Sequence, residues 1–261
     1  MKRVIVITSG KGGVGKTTTA INLGAAISYF GRDVLIVDGN LTTPNVGIHF
    51  GSPEVPVNLN HVISGKAEVF EAVYEHESGL KIIPSSLSIK ELKRIKPERL
   101  KNFKKDFTKI SDIVIVDSAA GLGNEAMAPI SMADEVIIVT NPEMPAITDA
   151  LKTAKLAEEM RKTILGVIIT KVRKDDIELQ PETVKEMLEA PILGMVPYDL
   201  CVPQSLNLRN AVVYTHPKSK SARAYKEIAA RILNVPYDSN KDAEGLLERI
   251  FKTLRLKKKD G

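Results

Sequence analysis

One stretch near the N-terminus, Ser9-Gly10-Lys11-Gly12-Gly13-Val14-Gly15-Lys16-Thr17-Thr18, restricts this chain to very few folds. It follows Val4-Ile5-Val6-Ile7, a β-branched run that reads as a buried strand. It precedes Ala20-Ile21-Asn22-Leu23-Gly24-Ala25-Ala26-Ile27, which is apolar at helical spacing. Strand, glycine loop and helix in that order turn a G-x-x-x-x-G-K-[ST] match into a phosphate-binding loop. Gly10, Gly12, Gly13 and Gly15 let the backbone curl so that successive N–H groups point at phosphate oxygens, with Val14 and Thr18 in the same stretch. The helix starting near Lys16 adds the positive end of its dipole. Lys16 is placed to reach the β- and γ-phosphates, and the Thr17 hydroxyl to ligate Mg²⁺.

Lys11 is not required by such a loop. K-G-G-V-G-K-T-T resembles the deviant Walker A signature of the MinD/ParA/Mrp family of ATPases, and the likeness runs over about residues 2–235. The resemblance implies ATP or ADP with Mg²⁺ as ligands. It also implies an ATP-bound homodimer in which Lys11 crosses to the nucleotide of the partner subunit. The expected fold is a doubly wound, mostly parallel α/β sheet with helices on both faces.

Val34-Leu35-Ile36-Val37 reads as a strand ending in Asp38, and the polar segment from Asp38 to Asn45 falls where open α/β sheets bind ligands. That segment is similar to the family's switch I, D-x-D with a proline a few residues on. Asp38 and Pro44 match, whereas Asn40 stands where the family has the second aspartate, the one used in hydrolysis. An amide can orient a water but cannot accept a proton. The resemblance thus implies a catalytic set of Lys11, Lys16, Asp38 and Asn40; nucleotide binding is expected, while Asn40 leaves the hydrolysis rate open.

Ile113-Val114-Ile115-Val116-Asp117 is the strongest buried strand, and its terminal carboxylate has a Walker B-like place. Metal ligation thus falls to Thr17, Asp38 and Asp117. Asp117-Ser118-Ala119-Ala120-Gly121 resembles switch II, D-x-P-A-G, with Ala119 for proline; a looser loop is expected, with the Gly121 N–H available to a γ-phosphate.

The rest of the chain alternates strand and helix. Short helices are expected over 57–64 and 67–74, a strand over 80–84 and a lysine-rich helix over 97–109. A strand over 135–140 leads into a helix over 146–160. Strands over 164–170 and 192–196 flank a helix over 181–188, and a helix over 218–233 closes the domain. His49, His61 and His76 read as surface or packing residues. Guanine readers carry N/T-K-x-D; Thr170-Lys171-Val172-Arg173 lacks the aspartate, so adenine is expected. The resemblance places base contacts at Thr170, where the family has asparagine, and along the backbone of Pro197 and Asp199.

A single cysteine, Cys201, rules out an intramolecular disulfide and a Cys-x-x-Cys metal site, and no apolar run reaches the roughly 20 residues that span a bilayer. The N-terminus reads as the first strand without a signal peptide, so the expected location is cytoplasmic. The net charge is +5, and residues 245–261 hold six basic and two acidic residues of it. The basic excess therefore reads as a property of the tail, and nucleic acid as an unlikely partner.

Residues 1–235 read as the ATPase domain, 236–244 as a polar linker, 245–256 as an amphipathic helix and 257–261 as a basic end. Leu246, Leu247, Ile250, Phe251 and Leu254 share an arc of about 140° on a helical wheel. Such a helix suits the interface of an anionic membrane, and the segment is similar to the membrane-targeting helix of MinD-type proteins. Together these features imply an ATP-dependent dimerisation and membrane-association switch in spatial organisation, with an activating protein partner. A slow nucleotide-dependent scaffold and a DNA-partition ATPase are the alternatives.

Overall fold

The computed structural model describes residues 2–238 except 93, 94, 174 and 176. The expected tail helix, with Leu246, Leu247, Ile250, Phe251 and Leu254, lies outside the described residues.

Eight strands form one sheet: β1 (Arg3–Ser9), β2 (Val34–Asp38), β3 (Tyr74–Glu75), β4 (Lys81–Ile83), β5 (Ile113–Ala120), β6 (Glu135–Thr140), β7 (Thr163–Val172) and β8 (Ile192–Pro197). Their spatial order is β3-β4-β2-β5-β1-β6-β7-β8, and only β3 against β4 is antiparallel. The doubly wound α/β expectation holds. Alternate residues of each central strand serve two separate cores. Val4, Val6, Val114 and Val116 join one; Ile5, Ile7, Ile115 and Ile137 join the other. Burial on both faces is why these strands are almost unbroken Val and Ile.

The chain leaves β1 at the centre of the sheet and returns in β2, two places away, while β5 and β6 lie on either side of β1. The loop after β1 thus opens at the reversal of strand order, where ligands bind in such sheets. The Lys16–Tyr29 helix packs on β1, β2 and β5 and against the Lys220–Leu233 helix, which does close the domain.

Several elements differ from expectation. Residues 97–109 are not one helix: Pro97–Phe103 is a 3₁₀ stretch, followed by an α-helix over Lys104–Ile110. Proline at the start and only Leu100 and Phe107 fully buried give it a narrow apolar anchor. The 67–74 helix shrinks to a 3₁₀ turn over Val69–Ala72, with Tyr74 in the edge strand β3. β5 does not stop at Asp117 but runs to Ala120. β7 extends to Val172, with a register break against β8 between Ile169 and Val172. The Tyr237 ring, in the expected linker, meets Phe30 edge-on at 5.7 Å. Among the described residues no helix is long and apolar enough to cross a membrane.

Candidate functional site

The glycine loop joins β1 to the Lys16–Tyr29 helix. That helix starts with a left-handed Gly15 (φ 95°), no side-chain cap and no acidic residue in its first turn. Its first N–H groups and the positive end of the dipole are left for an anion. The loop borders a cavity of about 410 Å³ whose wall includes Gly12, Gly13, Lys16, Thr17, Asn40 and Thr43. Lys11 stands exposed at the rim, with its carbonyl accepting the Ser9 hydroxyl at 2.7 Å. Gly10 acts in a different way from its neighbours. A Cβ there would lie 2.1 Å from the Asp149 carbonyl oxygen in the Met144–Glu159 helix, so this glycine lets the loop close onto a helix.

Two aspartates form the floor. Asp38 and Asp117 are register partners on the adjacent parallel strands β2 and β5, and both are fully buried. The Thr17 hydroxyl donates to Asp117 Oδ2 at 2.5 Å, while Asp117 Oδ1 is buried with no partner. Burial raises the Asp117 pKa to about 6, against the opposing pull of the Thr17 hydrogen bond and the Lys16 charge. Burial, then the charge of Asp117, pushes Asp38 well above the usual carboxylate range, although three backbone N–H groups pull it back. Burial lowers the pKa of Lys16, and Asp117 counters that shift. An orphaned carboxylate oxygen beside a threonine hydroxyl, in a pair of carboxylates short of positive charge, fits a hard divalent cation such as Mg²⁺. Asp38 is already occupied: Oδ2 accepts from Asn45 and Val46 N–H at 3.0 and 2.9 Å, and Oδ1 from Asn40 N–H at 3.3 Å. Its first task is to hold the polar loop in place.

Asn40 is also tied internally. Its amide Nδ2 donates to the Thr43 carbonyl at 2.7 Å and the Thr43 hydroxyl at 3.0 Å, and its Oδ1 accepts from Thr43 N–H at 3.3 Å. This is a turn-closing bracket rather than an amide aimed at a water. The next residue but one, Thr42, donates its hydroxyl to Glu125, at the start of the Asn124–Met132 helix, so the loops after β2 and β5 touch.

The Gly121 N–H is donated to the Ser9 carbonyl at 3.0 Å, so the free donor expected there is in use. Ala119 accounts for it. A proline would break the ladder, whereas alanine lets β5 continue to Ala120, and the segment is strand rather than a looser loop.

The residues expected at the base lie around a second cavity. A mostly apolar cavity of about 130 Å³ opens beside Gly15 and Thr18, with Pro197, Val202 and Tyr225 in its wall. Thr170 borders it, and its hydroxyl donates to the Val14 carbonyl at 2.5 Å, which leaves the oxygen to act only as an acceptor. The Asp199 carboxylate accepts from Cys201 N–H and from the N–H and hydroxyl of Ser221, at 3.0, 3.0 and 2.9 Å. Burial alone would raise its pKa; the Ser221 and Cys201 hydrogen bonds outweigh that and hold it below the usual value. Pro197 and Asp199 therefore shape the pocket through the backbone.

Three residues of this region escaped the sequence reading. Tyr225, its pKa raised to about 12 by burial, supports the base cavity and meets the Thr19 hydroxyl at 3.3 Å; its helical spacing marked it only as core. His49 is buried in the wall of the phosphate cavity, with Nε2 unpartnered and its pKa lowered to about 4 by burial. His61 and His76 are structural: one completes a capping box with Asn58, the other packs on Phe50. Lys171 follows Thr170 with a left-handed backbone (φ 57°) and its ammonium donates to the Gly13 carbonyl at 2.6 Å. The Thr170-Lys171 pair was visible only as an incomplete guanine motif.

Known proteins resemble this chain in sequence and fold. Residues 5–211 match the CobQ/CobB/MinD/ParA nucleotide binding domain. An ATP-binding protein of Methanocaldococcus jannaschii is 36% identical over 256 residues, covering 97% of both chains. The septum site-determining protein MinD of Pyrococcus horikoshii, solved with Mg-ADP, is 31% identical, with a TM-score of 0.85 over 89% of this chain and 96% of that one. MinD in the MinC:MinD cell division complex of Aquifex aeolicus is 28% identical, with a TM-score of 0.81 over 90% and 97%.

Proposed function

We propose that this chain, which belongs to the CobQ/CobB/MinD/ParA nucleotide-binding family, is an ATPase acting as an ATP-dependent dimerisation and membrane-association switch. The observation that carries this reading is the contrast between two lysines of one loop: Lys16 buried beside Asp117, Lys11 exposed at the rim. Lys16 is placed to neutralise phosphate charge within its own chain, and Lys11 is free to do so for a second copy. Mg²⁺, held by Thr17 and Asp117 with Asp38 behind them, would supply positive charge to the phosphate oxygens. Around it the N–H groups from Gly13 to Thr18 grip the phosphates, and the cavity beside Tyr225 takes adenine. The loops after β2 and β5 meet at Thr42 and Glu125, so a change at either is felt by both. Loops of this kind order around a γ-phosphate and relax on its loss.

Pairing two chains brings two C-terminal tails to one surface, turning weak single-tail affinity into avidity. The relatives support a role in positioning, because the two solved neighbours are cell-division proteins and one is held by MinC. The test is co-sedimentation with anionic liposomes under ATP or ADP, with and without residues 245–261. Pelleting that needs both ATP and the tail is expected; equal pelleting in all four conditions would end the membrane-switch reading.

A second reading, of the DNA-partition kind, rests on a different observation. The charge is not confined to the tail. Residues 90–109 hold nine basic and three acidic residues, and Lys90, Lys96, Arg99, Lys101, Lys105 and Lys109 are all exposed. Salt-sensitive binding of duplex DNA by a chain ending at Glu244 would favour it.

A further inference from the structure

We propose that the Thr170-Lys171 step is a two-point clamp that presets the phosphate loop for its ligand. Lys171 and Thr170 hold the carbonyls of two consecutive loop residues, Gly13 at 2.6 Å and Val14 at 2.5 Å. In a planar trans peptide the C=O and the following N–H point in opposite directions. Fixing the Gly13 carbonyl therefore turns the Val14 N–H to the other side, and fixing the Val14 carbonyl does the same for Gly15. The Gly15 carbonyl, next in line, accepts the Thr19 N–H at 2.8 Å as the helix begins. Three successive peptides are thus oriented before any anion arrives.

Neighbouring residues on a regular strand point to opposite faces and could not both reach one loop. Here they do, because β7 breaks register with β8 between Ile169 and Val172 and Lys171 adopts a left-handed backbone. That conformation is uncommon for a residue with a side chain, and it aims both side chains at the loop. Thr170 and Lys171 also border the base cavity, and Lys171 borders the phosphate cavity as well. They are positioning residues, acting on phosphate through the Gly13–Val14–Gly15 backbone.

The inference rests on the nucleotide-binding reading, and the test separates the two. Affinities for ADP and AMP are measured by calorimetry for the full chain, for Lys171→Ala, Lys171→Gly and Lys171→Arg, and for Thr170→Ala and Thr170→Ser. The loop grips the β-phosphate, so the clamp acts on the gap between ADP and AMP. Lys171→Ala should weaken ADP about tenfold, as expected for loss of a charge-assisted hydrogen bond, and leave AMP within about twofold. Lys171→Gly keeps the left-handed backbone at no steric cost but lacks the ammonium, so it should fold and show the same loss. Lys171→Arg and Thr170→Ser should recover most of the gap, and Thr170→Ala should not. Equal losses for ADP and AMP would mean a base contact and overturn the clamp, as would an unchanged gap in Lys171→Gly. A wild-type chain that fails to prefer ADP to AMP would overturn the nucleotide reading itself.

Discussion

Asn40→Asp introduces the aspartate of the switch I pattern that this segment resembles, and the change acts first on the loop's own hydrogen bonds. The Asn40 Nδ2 group donates to the Thr43 carbonyl at 2.7 Å in a position only 8% exposed. Aspartate would place an oxygen against that carbonyl and lose its hydrogen bond, at a cost of about 0.5–1.5 kcal/mol, while the carbonyl, on an exposed residue, keeps the Asn45 Nδ2 donor at 2.8 Å. It would also add a negative charge next to Asp38, whose Oδ1 already accepts the residue-40 N–H at 3.3 Å. Two carboxylates on the order of 5 Å apart repel by about 3 kcal/mol at an effective dielectric of 20. Partial protonation takes back some of each, so a net loss of about 1–4 kcal/mol is expected without ligand at pH 7.5.

The assay is urea unfolding of the wild type and Asn40→Asp, with and without Mg²⁺ and ADP. The midpoint should fall, the slope stay unchanged, and Mg²⁺ with ADP should recover most of the loss by supplying the missing positive charge. The deficit should shrink at pH 5, where the new carboxyl takes up a proton. A variant that unfolds at the wild-type midpoint without Mg²⁺, and hydrolyses ATP much faster, would refute the bracket as the role of Asn40.

Two further outcomes follow from single positions. His49 has its pKa lowered to about 4 by burial, whereas an unfolded histidine titrates near 6.5. The folded state then binds fewer protons between those values, so its stability falls as pH drops through 6.5 toward 4, by up to about 3 kcal/mol. His49→Leu should remove that loss, while Asp38 and Asp117, shifted upward, drive the opposite trend in both proteins; an equal stability gap at pH 4.5 and 7.5 would contradict this. Gly10→Ala should force the loop away from the Asp149 carbonyl and weaken ADP by at least about tenfold, because misplaced N–H groups lose charge-assisted bonds; calorimetry showing wild-type affinity would exclude that packing role.

The sheet and the loop were legible because both depend on local pattern. Val4 to Ile7 and Ile113 to Val116 could only be buried strands, and G-x-x-x-x-G-K-T has a fixed backbone requirement. The Asp38–Asp117 pairing followed from strand order, which the sequence hints at only through resemblance. What stayed hidden were contacts over long sequence separations: Lys171 to Gly13, Thr170 to Val14 and Gly10 against Asp149. Nothing in the neighbourhood of Gly10 marks the helix that will press on it. The lysine-rich segment failed for another reason. Charge reads as helix-favouring, but only two fully buried side chains anchor that stretch, and it broke into a 3₁₀ turn and a short helix.

The three places where this chain departs from the pattern it resembles have one structural consequence. Asn40, in the cavity wall, spends its amide on Thr43. Ala119 lets β5 run on, so the Gly121 N–H goes to Ser9. Thr170, where the resembled pattern has asparagine, gives its hydroxyl proton to the Val14 carbonyl. Each exchange converts a group that could face a ligand into a tie within the protein. A site built this way has less to reorganise when a phosphate arrives, and less that can move when one leaves. Preorganisation of this kind favours tight binding, since the ordering cost is met during folding. It works against a fast cycle, because the loops must break internal hydrogen bonds to respond to the γ-phosphate. The buried, partly uncompensated Asp38–Asp117 pair is the opposing element: it makes the empty site unfavourable and gives a divalent cation its largest lever. On the proposed ATPase reading, the balance between those ties and that charge, more than Asn40 alone, would set the rate of turnover.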